Sequence, residues 1–133
     1  MKVLGIEFEG SHMNYVLLES HQDSYVVQAS NRLSLGDTRS RDSLVAFQHA
    51  VIVTLTSTAP DKIAIKAKPE KGNMRAGAAA LKMEGIVLAN APCPSEFVSG
   101  ARINKCAAAD NSIYAYLQSA LKTAAVVLKK EHP

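Results

Sequence analysis

Tryptophan is absent from this 133-residue sequence, aromatic residues make up only 5% of it, and cysteine occurs twice. Cys93 and Cys106 belong to no CxxC pair, so they predict neither a zinc site nor a disulfide scaffold and read as two reduced thiols. No apolar run approaches the roughly 18 residues of a membrane span. Glu7 and Glu9 fall where a signal peptide would need its apolar centre, so the default expectation is a cytoplasmic protein with no membrane association. His12, His21, His49 and His132 are dispersed without HxH or HExxH spacing, which removes the usual histidine-based metal motifs.

What is present is ordinary globular material, 47% hydrophobic and 20% charged, in a length suited to one domain with its own core. The net charge of +3 is modest but unevenly distributed. Between residues 62 and 82 stand Lys62, Lys66, Lys68, Lys71, Arg75 and Lys82 against Glu70 alone, whereas acidic residues outnumber basic ones before residue 62.

VLGIEFE, NYVLLES and SYVVQASNRL are rich in β-branched and large apolar residues and are separated by GSH and SHQDS, which predicts three consecutive antiparallel strands. Leu44, Phe47, Val51 and Leu55 then recur at helical period, with Asp42 or Ser43 as N-cap and Pro60 as terminator. DKIAIKAK predicts a fourth strand. Residues 72–90 predict an Ala- and Met-rich helix, SEFVS a fifth strand, and GARINKC one or two helical turns. Ile113, Leu117, Ala120, Leu121, Ala124 and Leu128 mark a last helix, for which Asp110 or Ser112 could serve as N-cap. Strands that give way to strand–helix alternation imply a mixed five-stranded α/β sheet with helices on its faces.

Within LGIEFEGS, Glu7 and Glu9 are two apart on a strand and share a face. Two readings stand open: both carboxylates are solvated at the sheet end, or they hold a cation there. The basic segment supplies a second geometry. If residues 71–86 are helical, Lys71, Arg75 and Lys82 fall within about 40° of one another, and with Lys66 and Lys68 they could follow a nucleic-acid backbone. No aromatic residue is interleaved among them, which disfavours single-strand recognition.

The element order, joined to Gly5, Ile6, Glu7, Gly10 and Ser11, resembles the ribonuclease-H-like fold and within it the RuvC-type Holliday-junction resolvases. Lys71–Gly72, Gly77 and Lys82–Met83–Glu84 resemble more closely a family of short bacterial proteins of that fold with no established activity. The first resemblance implies binding of duplex or branched nucleic acid. It also implies a nuclease site in which acids from the first strand, fourth strand and last helix hold Mg²⁺ or Mn²⁺ ions about 4 Å apart.

On that resemblance Glu7 and Asp110 are the catalytic and metal-ligating residues, with Glu70 or Glu84 completing the set. The sequence departs from the pattern in IAIKAKPEKG, which offers Lys66, Ala67 and Lys68 where an acid is expected, Ala67 being taken as its replacement. Robust cleavage is therefore not expected. The competing class is a non-catalytic interaction module, a homodimer joined through the Ala-rich helix.

Overall fold

The computed structural model describes residues 1–131, so His132 lies outside the described residues. It opens with the meander expected from the alternating first third: β1 (Lys2–Glu9), β2 (His12–His21) and β3 (Ser24–Ser34), each antiparallel to the next. Gly10, at φ 58°, makes the tight turn between β1 and β2, a conformation that glycine adopts without a Cβ clash. After α1 (Arg41–Thr58), β4 (Lys62–Lys66) joins β1 in parallel. After α2 (Ala78–Asn90), β5 (Ser95–Val98) joins β4 in parallel. The order β3-β2-β1-β4-β5 is the mixed five-stranded sheet predicted, with β1 at its centre.

Strand alternation divides the core into two layers. Leu4, Ile6 and Phe8 of β1 and Ile63 and Ile65 of β4 face α1 and α2, where Phe47, Val51, Leu55, Ala80, Met83 and Val87 cover them. On the opposite face Val3, Val16, Leu18 and Ala64 meet α4 (Gln118–Glu131) through Ala120, Leu121, Ala124 and Leu128. The short helix α3 (Gly100–Asn104) contributes Ile103 to that second layer.

Gly5 lets α4 lie close to the central strand. A Cβ at this position would stand 2.1 Å from the carbonyl oxygen of Ala120 and 2.7 Å from Cβ of Ala124. Small residues on both sides therefore set the approach of α4 to the sheet, and with it the position of Ser119 at the helix start.

Three local expectations change. The N-cap of α1 is Ser40, whose Oγ accepts from the Ser43 N–H, because the helix begins two or three residues earlier than Asp42 or Ser43 would place it; the helix closes on Ala59 in the left-handed region. The last α-helix begins at Gln118, preceded by a 3-10 turn over Ala115–Leu117, so neither Asp110 nor Ser112 caps it. Asp110 instead accepts from the N–H and hydroxyl of Ser112 within its own loop.

The third change concerns residues 71–77, which are not helical. Pro69 lacks an N–H, Gly72 takes φ 89°, and the Ala76 N–H closes the loop on the Pro69 carbonyl, so α2 starts only after Gly77. The predicted stripe of Lys71, Arg75 and Lys82 on one helix face therefore does not form. No described helix is long and apolar enough to cross a membrane.

Candidate functional site

At the end of β1 the residues facing α4 change from apolar to charged. Glu7 follows Gly5 on that face, and neighbouring strands place Asn14 opposite Glu7, Arg32 opposite Asn14, and Lys66 beside Glu7. The parallel register ends at Ile6 opposite Ile65, so the next residue of β4, Lys66, is the neighbour of Glu7. This corrects the assignment of Ala67 to that place. Ala67 lies beyond the strand, where its N–H donates to the Val98 carbonyl, and strand alternation turns its side chain away from Glu7.

Lys66 Nζ donates to Glu7 Oε2 at 3.2 Å and to Ser119 Oγ at 3.3 Å. Arg32 donates from its terminal nitrogen to Glu9 Oε1 at 2.8 Å and from Nε to Asn14 Oδ1 at 2.7 Å. Asn14 is fully buried and shares its amide donors among Glu7 Oε1, Glu9 Oε1 and the Tyr116 carbonyl. A buried amide needs such partners to offset its desolvation. Each carboxylate thus has its own cation, and Asn14 links the two pairs.

Above this network the Arg32 guanidinium lies 4.0 Å over the Tyr116 ring, and Tyr114 stacks on Tyr116 with centroids 5.4 Å apart and planes within 8°. Tyr114 is 70% exposed. Sequence reasoning missed this stack because it read NSIYAYLQ for its helical apolar positions; the available signal was the Tyr-x-Tyr spacing ahead of a helix.

The remaining predicted residues are dispersed. Asp110, whose carboxyl is held below its usual range by the Ser112 hydrogen bonds, lies in the loop between α3 and the 3-10 turn. Its backbone is tied to the Gln118 side chain, the Asp110 N–H donating to Oε1 and the Asp110 carbonyl accepting from Nε2, one residue ahead of Ser119 at the start of α4. Glu84 sits on α2, across the sheet from Glu7. Burial raises its carboxyl pKa, and the charge of Glu70 adds to the shift. Glu7, Asp110, Glu70 and Glu84 do not converge, and among the described residues no three His, Cys, Asp or Glu side chains form a group that could hold a metal ion.

The donor set around Glu7 does not fit the ions that the fold resemblance implies. Divalent ions take oxygen ligands, whereas the space between Glu7 and Ser119 holds an ammonium and Asn14 turns N–H donors toward both carboxylates.

The basic residues separate in the same way. Lys66 belongs to the Glu7 pair, and Lys82 on α2 donates to the Thr38 carbonyl ahead of α1. Lys68, Lys71 and Arg75 are exposed in the 67–77 loop, which leaves β4 at the same end of the sheet as Glu7. Neither Lys68 nor Lys71 forms an ion pair among the described residues, and Arg75 makes one hydrogen bond, to the Gly72 carbonyl. Between them Met74 is 83% exposed.

Several solved structures share this architecture. Thermus thermophilus RuvC superposes with a TM-score of 0.76 at 14% identity, covering 98% of this chain and 97% of that one. T. thermophilus RuvC in complex with Holliday junction substrate gives 0.74 at 15% identity, over 98% and 96%. Fowlpox virus resolvase with substrate Holliday junction DNA gives 0.60 at 9% identity, over the whole of both chains. These likenesses establish a RuvC-like, ribonuclease-H-like fold over nearly the entire chain. No curated protein matches the sequence. Residues 1–126 match the family described as Protein of unknown function (DUF3010), and the chain belongs to that family.

Proposed function

We propose that this protein binds duplex or branched nucleic acid through the 67–77 loop and does not cut it. The observation that carries the reading is the placement of Lys68, Lys71 and Arg75, exposed and without carboxylate partners among the described residues, around the exposed Met74, at the end of the sheet where parallel β1 and β4 finish. Ligands of α/β sheets gather at the carboxyl ends of parallel strands. Cations there neutralise phosphates and release counterions, and an apolar tip between them suits contact with a base step or sugar edge. RuvC and the fowlpox resolvase, which share the fold, are both seen with Holliday junctions, and this supports a branched substrate as the first to try. The absence of cutting is argued from Lys66, which occupies the fourth-strand position that the resemblance assigns to an acid.

Fluorescence anisotropy of labelled four-way junction and duplex DNA across a salt series tests the proposal. Binding that weakens steeply with salt is expected; no binding at low salt would refute it. Replacing Lys68, Lys71 and Arg75 together by Ala should lower the slope of log K against log [salt] by about 3, on the basis of roughly 0.9 per lost phosphate contact.

A second reading, homodimerisation, is favoured by a separate observation. Val45 and Ile52 share one face of α1 and are 45% and 41% exposed, and Leu88 of neighbouring α2 is 41% exposed. A light-scattering mass of twice the 14.2 kDa chain, reduced to one chain by Val45→Glu, would establish this face as the contact.

A further inference from the structure

We infer that Lys66 and Arg32 supply from the chain itself the positive charge that divalent ions supply in metal-dependent sites of this fold, so that Glu7 and Glu9 form a charge-neutral site that rejects divalent metal. Glu7 and Glu9 carry two negative charges, and the Lys66 and Arg32 groups at 3.2 and 2.8 Å carry two positive ones. A divalent ion entering between them would add two uncompensated charges beside Glu7, whose side chain is 13% exposed, whereas Glu9 at 57% is in contact with water.

Geometry opposes the ion as well as charge. The Lys66 ammonium bridges Glu7 Oε2 and Ser119 Oγ, so it already occupies the space between two oxygens that an ion would need. Asn14 gives its oxygen to Arg32 and its N–H groups to Glu7 and Glu9, so the amide donates where a ligand would have to accept. The arrangement is anchored on four strands, β1 to β4, and on α4.

Replacing Lys66 removes the cation beside the more buried carboxylate and can add a ligand in the same step. Lys66→Glu would set a second carboxylate beside Glu7 and leave Ser119 free to face the same space. The inference concerns metal affinity alone and is independent of whether nucleic acid binds, so its failure is distinguishable from failure of the binding proposal.

The experiment is a titration with Mn²⁺ alone, read by loss of the free-ion electron paramagnetic resonance signal, on the wild type, Glu7→Gln, Lys66→Glu, and Lys66→Glu combined with Glu7→Gln. The wild type should bind no Mn²⁺ through Glu7 at about 1 mM, the weak end of protein sites for hard cations. Lys66→Glu should bind one ion at least about tenfold more tightly than wild type, and adding Glu7→Gln should abolish that gain.

Wild-type binding near 1 mM that Glu7→Gln removes would overturn the inference, as would a folded Lys66→Glu chain with unchanged affinity. If Lys66→Glu does not fold, Lys66→Gln carries the test. It removes the ammonium at similar length, and a rise in Mn²⁺ affinity over wild type supports the inference, whereas no rise overturns it.

Discussion

The ammonium of Lys66 stands 3.2 Å from Glu7 Oε2, across the parallel seam between β4 and β1. With side chains 30% and 13% exposed, the two groups are partly desolvated and rely on each other for compensation. Lys66→Ala should therefore destabilise the protein by about 1–3 kcal/mol, because it strands the Glu7 carboxylate. Glu7→Gln introduced on top of it should cost less than it does alone. A double-mutant cycle in urea measures the coupling, and additive costs would show that the pair is not energetically linked.

Gly5 determines whether the site can assemble. Any side chain there must displace the Ala120 carbonyl, a backbone atom that cannot rotate away. Gly5→Ala is expected to cost about 3 kcal/mol and to move α4 with Ser119 away from Lys66. Gly85→Ala provides the contrast: no atom lies within 4 Å of the added Cβ, and the helix favours alanine, so it should be neutral or stabilising by under about 1 kcal/mol. Thermal unfolding of the two variants separates them.

At the opposite end of the sheet Glu96 gathers Lys62, Lys130 and Arg102, joining β5 to β4, α4 and α3. The Lys62 ammonium leads in holding its carboxyl down to about 2, with Lys130 and Arg102 adding to the effect against the opposing cost of burial. A carboxyl depressed on folding contributes stability that is fully present above its ordinary value of 4.5 and is lost as pH falls toward 2. Glu96→Gln should flatten the loss of stability over that window while leaving the Glu7 network intact. An unchanged acid limb in pH-dependent urea unfolding would contradict it.

Lys82 serves as an internal control for the binding face. Its Nζ is engaged by the Thr38 carbonyl on the face of the sheet covered by α1 and α2, so Lys82→Ala should leave DNA affinity within about twofold of wild type, while Lys71→Ala lowers it. Equal losses in an anisotropy titration would mean that the 67–77 loop does not define the surface.

Much of this architecture was legible in the sequence, because strand alternation in the first third and helical periodicity at Phe47–Val51–Leu55 and Leu117–Leu121–Leu128 are direct consequences of burial on one face. The stripe at 71–82 fails because helix-favouring composition extends across Gly72 and Gly77, residues whose backbone freedom weakens a helix. Placing Ala67 beside Glu7 was an error of one residue in register, and in a sheet such an error reverses the face. The Arg32–Asn14–Glu9 network was hidden because its members are far apart in sequence and meet only when β2 lies between β1 and β3.

Binding of a labelled four-way junction, compared at fixed ionic strength in EDTA and in Mn²⁺ and followed on a denaturing gel, tests the central claim most directly. The prediction is salt-dependent binding of equal strength in both conditions with the strands intact. Absence of binding at low salt, or Mn²⁺-dependent cleavage that disappears in Glu7→Gln, would contradict it.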